Sequence, residues 1–175
     1  IIPALDEVGK GFEQKKIYLP QLLMSAEAAK CAFEQIKLSA KDGAASSKVG
    51  FPVVLATVKG DVHDIGKNIV KLLLENYGYD VVDLGKDVPK EKIVDAVRRL
   101  NAPIAGLSAL MTTTVPAMEE TIELLRKEAP GCKVVVGGAV LTEEYAQKIG
   151  ADKYSADAME TVRYAERLRM DRDGR

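Results

Sequence analysis

Apolar positions in the first forty residues recur at helical spacing. Leu5, Val8 and Phe12 lie three or four residues apart. After a turn at Lys15-Lys16, the residues Leu22, Leu23, Ala26, Ala29, Phe33 and Ile36 continue the same period. Pro20 suits the first turn of the second helix, where a missing N–H costs nothing. Lys41 to Gly50 (KDGAASSKVG) is small and polar and reads as a flexible linker. From Phe51 the texture changes. Short apolar runs at 52–58, 80–84, 103–108, 132–136 and near 151–154 predict strands. Amphipathic stretches at 67–77, 89–100, 116–128, 142–149 and 157–168 predict helices. A run such as Val134-Val135-Val136 suits a strand buried on both faces. Strict alternation of strand and helix predicts a parallel sheet with right-handed crossovers. Five such units make an α/β, flavodoxin-like (Rossmann-like) doubly wound five-stranded parallel sheet, with a ligand crevice at the carboxyl ends of the strands. The expected organisation is a helical segment at 1–40, a linker at 41–51 and an α/β domain at 52–175.

Composition narrows the chemistry. A chain of 175 residues can bury a genuine core. A net charge of −1 offers no electrostatic basis for nucleic-acid binding. No apolar run approaches the roughly 20 residues that cross a membrane. Ile1-Ile2-Pro3-Ala4 lacks a signal-peptide pattern and reads like the middle of a helical segment, so a cytoplasmic fragment of a longer chain is expected. Cys31 and Cys132 are far apart and His63 is the single histidine, which argues against a zinc site built from this chain alone.

The predicted strand ends gather a specific set of residues. Asp61, His63 and Gly66 follow the first strand; Ser108, Leu110, Thr112, Thr113 and Thr114 follow the third; Gly137, Gly138 and Ala139 follow the fourth. This rim of small residues and hydroxyls holds one imidazole and no carboxylate cluster, a poor basis for acid–base hydrolysis. Singly, each has a plainer reading. Asp61 can cap the following helix, Thr113 or Thr114 can be the N-cap of the helix near Pro116, and Gly137-Gly138 can be an ordinary turn. Related folds fit less well. A phosphoacceptor domain needs an Asp where Gly106-Leu107-Ser108 ends the third strand, and Gly60 and Gly66 do not make the Gly-x-Gly-x-x-Gly of a dinucleotide site.

Joint spacing says more. Asp61-x-His63-x-x-Gly66, then Ser108-x-Leu110 after 41 intervening residues from Gly66, then Gly137-Gly138 after 26 more from Leu110, resembles the cobalamin-binding signature of corrinoid methyltransferases and carbon-skeleton mutases. The preceding helices resemble half of the four-helix cap of cobalamin-dependent methionine synthase and stand-alone corrinoid proteins, which mutase modules generally lack. The wording Asp61-Val62-His63-Asp64-Ile65-Gly66-Lys67-Asn68-Ile69-Val70 is similar to the methionine synthase version. Thr114 stands where that family commonly has a Ser.

The resemblance implies a cofactor, cobalamin (methylcobalamin or another corrinoid), bound with its own base displaced and His63 on the cobalt. It implies a relay of Asp61, His63 and Thr114, extended toward solvent by the Thr114 hydroxyl, that moves a proton as the imidazole leaves and rejoins the metal. It further implies cofactor contacts from His63, Asp64, Ile65, Gly66, Ser108, Leu110, Thr112, Gly137, Gly138 and Ala139, with Phe12 and Leu19 covering the methyl-bearing face. The implied function is a methyl carrier between donor and acceptor methyltransferase modules, with homocysteine or another thiol as acceptor and methionine synthase as the leading assignment. The alternatives are the corrinoid protein of a methanol, methylamine or O-demethylase system, or a non-catalytic corrinoid sensor or storage protein. Neither nucleic acid nor membrane is an expected partner.

Overall fold

The computed structural model describes residues 2–39 and 50–173. Five strands, β1 (Pro52–Thr57), β2 (Asp80–Asp83), β3 (Ile104–Ser108), β4 (Lys133–Gly137) and β5 (Lys153–Tyr154), form one sheet in the order β2-β1-β3-β4-β5. All four pairings are parallel. This is the flavodoxin-like order, with its switch point between β1 and β3.

Period two divides the strand residues between two cores. Val54, Ala56, Ala105, Leu107, Val134 and Val136 face one side, and Val53, Leu55, Ile104 and Val135 face the other. On the first side, Ile93 and Val97 of α4 (Lys90–Leu100) and Met118, Ile122 and Leu125 of α5 (Val115–Glu128) close the layer. On the second side lie Leu73 and Leu74 of α3 (Ile65–Asn76) and Met159 and Val162 of α7 (Ala158–Asp173). The short α6 (Glu143–Lys148) buries Ala146 in the first core. Burial on both faces explains why the strands read as continuous apolar runs.

The N-terminal helices are α1 (Ile2–Glu13) and α2 (Leu19–Ser39), joined through a turn where Lys15 takes φ +58. Leu22, Ala26 and Ala29 of α2 enter the same core as α3 and α7. Gly9 of α1 packs so closely that a Cβ there would lie 2.7 Å from Met159 Cε. Residues 41–49 of the expected linker, residue 40 before it, and the side chains of Leu5, Phe33 and Ile36 lie outside the described residues.

Candidate functional site

The loop after β1 is built around a fully buried carboxylate. Asp61 Oδ1 accepts from the His63 amide at 2.9 Å and lies 2.8 Å from His63 Nδ1. Its other oxygen accepts from the Leu110 amide at 2.7 Å, the Met111 amide at 3.2 Å and the Thr114 hydroxyl at 2.8 Å. One side chain thus joins the β1 loop to the β3 loop, and it caps no part of α3. Burial opposes its ionisation, but hydrogen bonds from the His63 and Leu110 amides, the Thr114 hydroxyl and the His63 ring outweigh that and hold the carboxyl well below the usual range.

An ionised carboxylate only accepts, so Nδ1 of His63 carries the proton and Nε2 of the neutral ring keeps its lone pair. The imidazole is 46% exposed while Asp61 is fully buried. This is the arrangement in which a buried acid orients an imidazole for a metal.

His63 stands at the mouth of a crevice of about 580 Å³ between the strand ends, α3 and the start of α7. Asp64, Ile65, Gly66, Ser108, Leu110, Gly137, Gly138 and Ala139 line it with His63, so nine of the expected contact residues come together. Asp61 and Thr114 sit behind the wall rather than in it. A Cβ built on Gly66 would meet nothing within 4 Å, so the wall is open there. Gly138 has a different reason to be glycine. At φ +144 its Cβ would fall 1.7 Å from the Ala109 carbonyl oxygen, so the close approach of two loops dictates the residue.

Four expected residues lie elsewhere, or act otherwise than expected. Thr112 is exposed in the short 3₁₀ turn Thr112–Thr114 and does not reach the crevice. Phe12 and Leu19 pack against the core shared by α2, α3 and α7. With α2 seated on α3 in this way, neither covers the crevice. Thr114 occupies the N-cap position of α5 without making a capping bond. Its hydroxyl is 2.8 Å from the Met111 carbonyl as well as from Asp61, and the residue is 5% exposed. The hydroxyl therefore leads back to the main chain and not to solvent, because the 3₁₀ turn folds over it.

The expected set omits the fifth strand end. Tyr154, Ser155, Ala156, Asp157, Ala158 and Thr161 form one crevice wall. Ser155 is 8% exposed and its Oγ has no hydrogen-bond partner among the described residues. The signal was the D-x-x-E run at Asp157–Glu160, an N-terminal helix signature immediately after a short strand. Asp157 Oδ1 accepts from the Glu160 amide at 2.9 Å, and Glu160 Oε2 accepts from the Ala156 amide at 3.3 Å.

A doubly wound sheet with an open, glycine-walled crevice ending at an oriented, exposed imidazole defines a protein that holds a large metal-bearing cofactor. Residues 52–163 match the B12 binding domain family, and residues 1–37 match a second family of the same description. The chain belongs to the B12-binding-domain family. It is 46% identical over 166 residues to dimethylamine corrinoid protein 1 of Methanosarcina acetivorans, covering 94% of this chain and 78% of that protein. A cobalamin-binding protein from Desulfitobacterium hafniense superposes with a TM-score of 0.80 at 36% identity, covering 93% of this chain and 77% of that one. The methanol:cobalamin methyltransferase complex of Methanosarcina barkeri superposes at 0.81 and 33% identity, covering 94% and 63%.

The cofactor is therefore a cobalamin-type corrinoid, and the residues present fit it. The half-exposed His63 ring is held only through Nδ1, the wall at Gly66 is open enough to admit a thick ligand, and the buried Ser155 hydroxyl is unpartnered among the described residues. Relatives matching nearly the whole chain are amine corrinoid proteins, which does not support the expected methionine synthase. No described helix is long and apolar enough to cross a membrane.

Proposed function

We propose that this chain is the corrinoid-carrying protein of a methylamine-type methyltransferase system, with His63 as the protein ligand to cobalt. The observation that carries this reading is the His63 ring, pinned at Nδ1 by a buried, ionised Asp61 and open at Nε2 beside the crevice. Cobalamin, when bound, supplies a cobalt centre that accepts a methyl group and surrenders it.

The chain's own residues do the rest. His63 would hold the cobalt through its Nε2 lone pair. Asp61 fixes the tautomer and orientation of the ring through Nδ1. Thr114 keeps the second carboxylate oxygen bonded, which holds Asp61 in one orientation. The crevice would hold the cofactor's nucleotide arm, with Gly66 and Gly137 leaving room for close approach and the hydroxyls of Ser108 and Ser155 available for hydrogen bonds. Val62, Ile65 and Leu110 are exposed apolar residues beside His63 and offer a seat for the corrin face. In this division of labour residues 1–40 serve as a cap segment and 52–175 as the cobalamin domain. Phe12 and Leu19, packed against the core here, would shield the cofactor only if α1 and α2 left their seat on α3.

The dimethylamine and trimethylamine corrinoid proteins among the relatives support a methylated amine as methyl source. A thiol is the acceptor that suits the chemistry, delivered by a partner methyltransferase subunit.

Loading with hydroxocobalamin tests the ligand assignment. The wild-type protein should show the visible spectrum of imidazole-ligated cobalt, and His63→Gly should retain corrinoid but show a cobalt without a nitrogen base. Equal spectra overturn the assignment. The methyl source is tested by offering dimethylamine or methanol, each with its own methyltransferase subunit, to the reduced loaded protein. Methylation from dimethylamine is expected, and methylation from methanol alone overturns the amine reading.

A further inference from the structure

The loop that carries Asp61 and His63 is held from a second direction by a residue outside the crevice. Asp87 lies between β2 and α4, beyond the end of β2. Its Oδ1 accepts from the Gly60 amide at 2.8 Å and from Lys59 Nζ at 2.9 Å. Its own amide donates to the Asp61 carbonyl at 2.9 Å. Next to it, Val58 and Val88 form an isolated parallel bridge beyond the last β1–β2 pair and two residues out of its register. Asp87 takes φ +54 to do this, a left-handed conformation that Asp and Asn tolerate better than most residues.

On the opposite side of the same loop, Gly60 takes φ +85, and the Thr114 γ-methyl lies 3.4 Å from where its Cβ would be. Lys59, Gly60 and Asp61 are thereby gripped between Asp87 and Thr114. The hydrogen bonds that orient His63 begin from this segment, because Asp61 is both the gripped residue and the one that holds the imidazole.

We propose that Asp87 is a positioning residue for the His63 ligand: by bonding the Gly60 amide it fixes the loop from which Asp61 presents the imidazole to cobalt. The inference rests on the reading of His63 as cobalt ligand. The bond is charge-assisted, and the hydrogen bonds from Gly60 and Lys59 hold the Asp87 carboxyl below its usual range. The side chain is 47% exposed, so a modest effect is expected, close to that of one hydrogen bond and well below that of losing Asp61.

The substitutions follow from the backbone. Asp87→Gly removes the carboxylate and accepts φ +54 without strain. Asp87→Asn keeps an acceptor for Gly60 and also tolerates that φ. Two measurements on the full chain separate the possibilities. In the cofactor-free protein, amide exchange at Gly60 and His63 should accelerate in Asp87→Gly and stay near wild type in Asp87→Asn. In the protein loaded with hydroxocobalamin at fixed pH, the ratio of imidazole-ligated to unligated cobalt should fall about fivefold in Asp87→Gly and recover in Asp87→Asn.

An Asp87→Gly protein with wild-type exchange and spectrum overturns the proposal while leaving His63 as ligand. So does an Asp87→Asn protein that falls as far as Asp87→Gly, because the Gly60 bond is then not the cause. If the wild-type spectrum itself lacks imidazole ligation, the underlying reading fails, and this outcome is visible before any Asp87 variant is made.

Discussion

The two halves of the site are built on opposite principles. Around Asp61 both carboxylate oxygens are engaged: five donors from two loops surround one carboxylate, and the segment before it is held again by Asp87. In the crevice the wall is bare at Gly66 and one buried hydroxyl, that of Ser155, is unpartnered. The first half sets a geometry before any cofactor arrives. The second leaves room that only a ligand fills. Fixed donor geometry beside an open slot suits the proposed role of His63 as the protein ligand to cobalt.

The contrast predicts that substitutions separate cleanly into those that remove the ligand's space and those that break the frame. Gly66→Leu should have the largest effect on loading. It fills open space near the start of α3, so cobalamin binding should fall by about a hundredfold. The thermal midpoint should hold or rise slightly, since Leu favours a helix over Gly by up to about 1 kcal/mol. Equilibrium dialysis together with a melting curve checks both, and undiminished loading would show that the slot is not used.

Gly138→Ala should do the reverse. The new methyl collides with the Ala109 carbonyl at a backbone angle closed to alanine, so a loss of about 3 kcal/mol in stability is expected, measured by urea unfolding without any cofactor. A loss confined to cofactor binding would mean the loops part easily and the residue serves the ligand first.

Asp61→Asn keeps the shape but places an NH₂ group against donors. We expect about 2 kcal/mol of lost stability and a smaller imidazole-ligated fraction. Its pH dependence has a definite sign. The Asp61 carboxyl is held below its unfolded value of about 3.9, so between those two values the unfolded chain binds more protons and stability rises with pH. The contribution is complete above that value and is lost as pH falls through the folded one. Asp83 and Asp152 are also held low, by Lys67 and by the Val134 amide with Arg126, against the burial that opposes both. They remain in both proteins, so the wild-type minus Asp61→Asn difference isolates Asp61. Urea unfolding from pH 6 down to acid should show that difference shrinking, and a constant difference would contradict the charge assignment.

Thr114→Ser should have the smallest effect. It keeps the hydroxyl on Asp61 and removes the methyl beside Gly60, so about 1 kcal/mol or less is expected, with an unchanged spectrum. A larger loss would mean the methyl, and not the hydroxyl, sets the loop.

Much of this was legible in the chain. The apolar runs placed all five strands to within a residue or two, because a sheet buried on both faces leaves little choice of composition. Strand-end logic found His63, Gly66, Ser108 and Gly137 for the same reason. The fifth strand was legible, but its end lay outside the expected site because the cobalamin-binding signature has no fragment there, although Asp157 and Glu160 marked the helix that follows. Asp87 was equally hidden, since a residue that acts through a backbone bond 27 positions away leaves no local pattern. Phe12 and Leu19 had apolar spacing that fits either a lid or a core. Only the seating of the helices decides between them, and it packs both residues, half-buried, against the core. The methyl source was illegible in principle. The motif encodes the hold on the cofactor, which carriers of different methyl groups share.

The central claim is a bond from His63 to cobalt, and one spectrum tests it most directly. The protein is grown with ¹⁵N-histidine, loaded with unlabelled cobalamin and reduced to the paramagnetic cobalt(II) form, and its electron paramagnetic resonance is recorded. Because His63 is the single histidine, the nitrogen splitting should change from the triplet of ¹⁴N to the doublet of ¹⁵N. A triplet that survives the labelling would place the cofactor's own base on the metal and contradict the account.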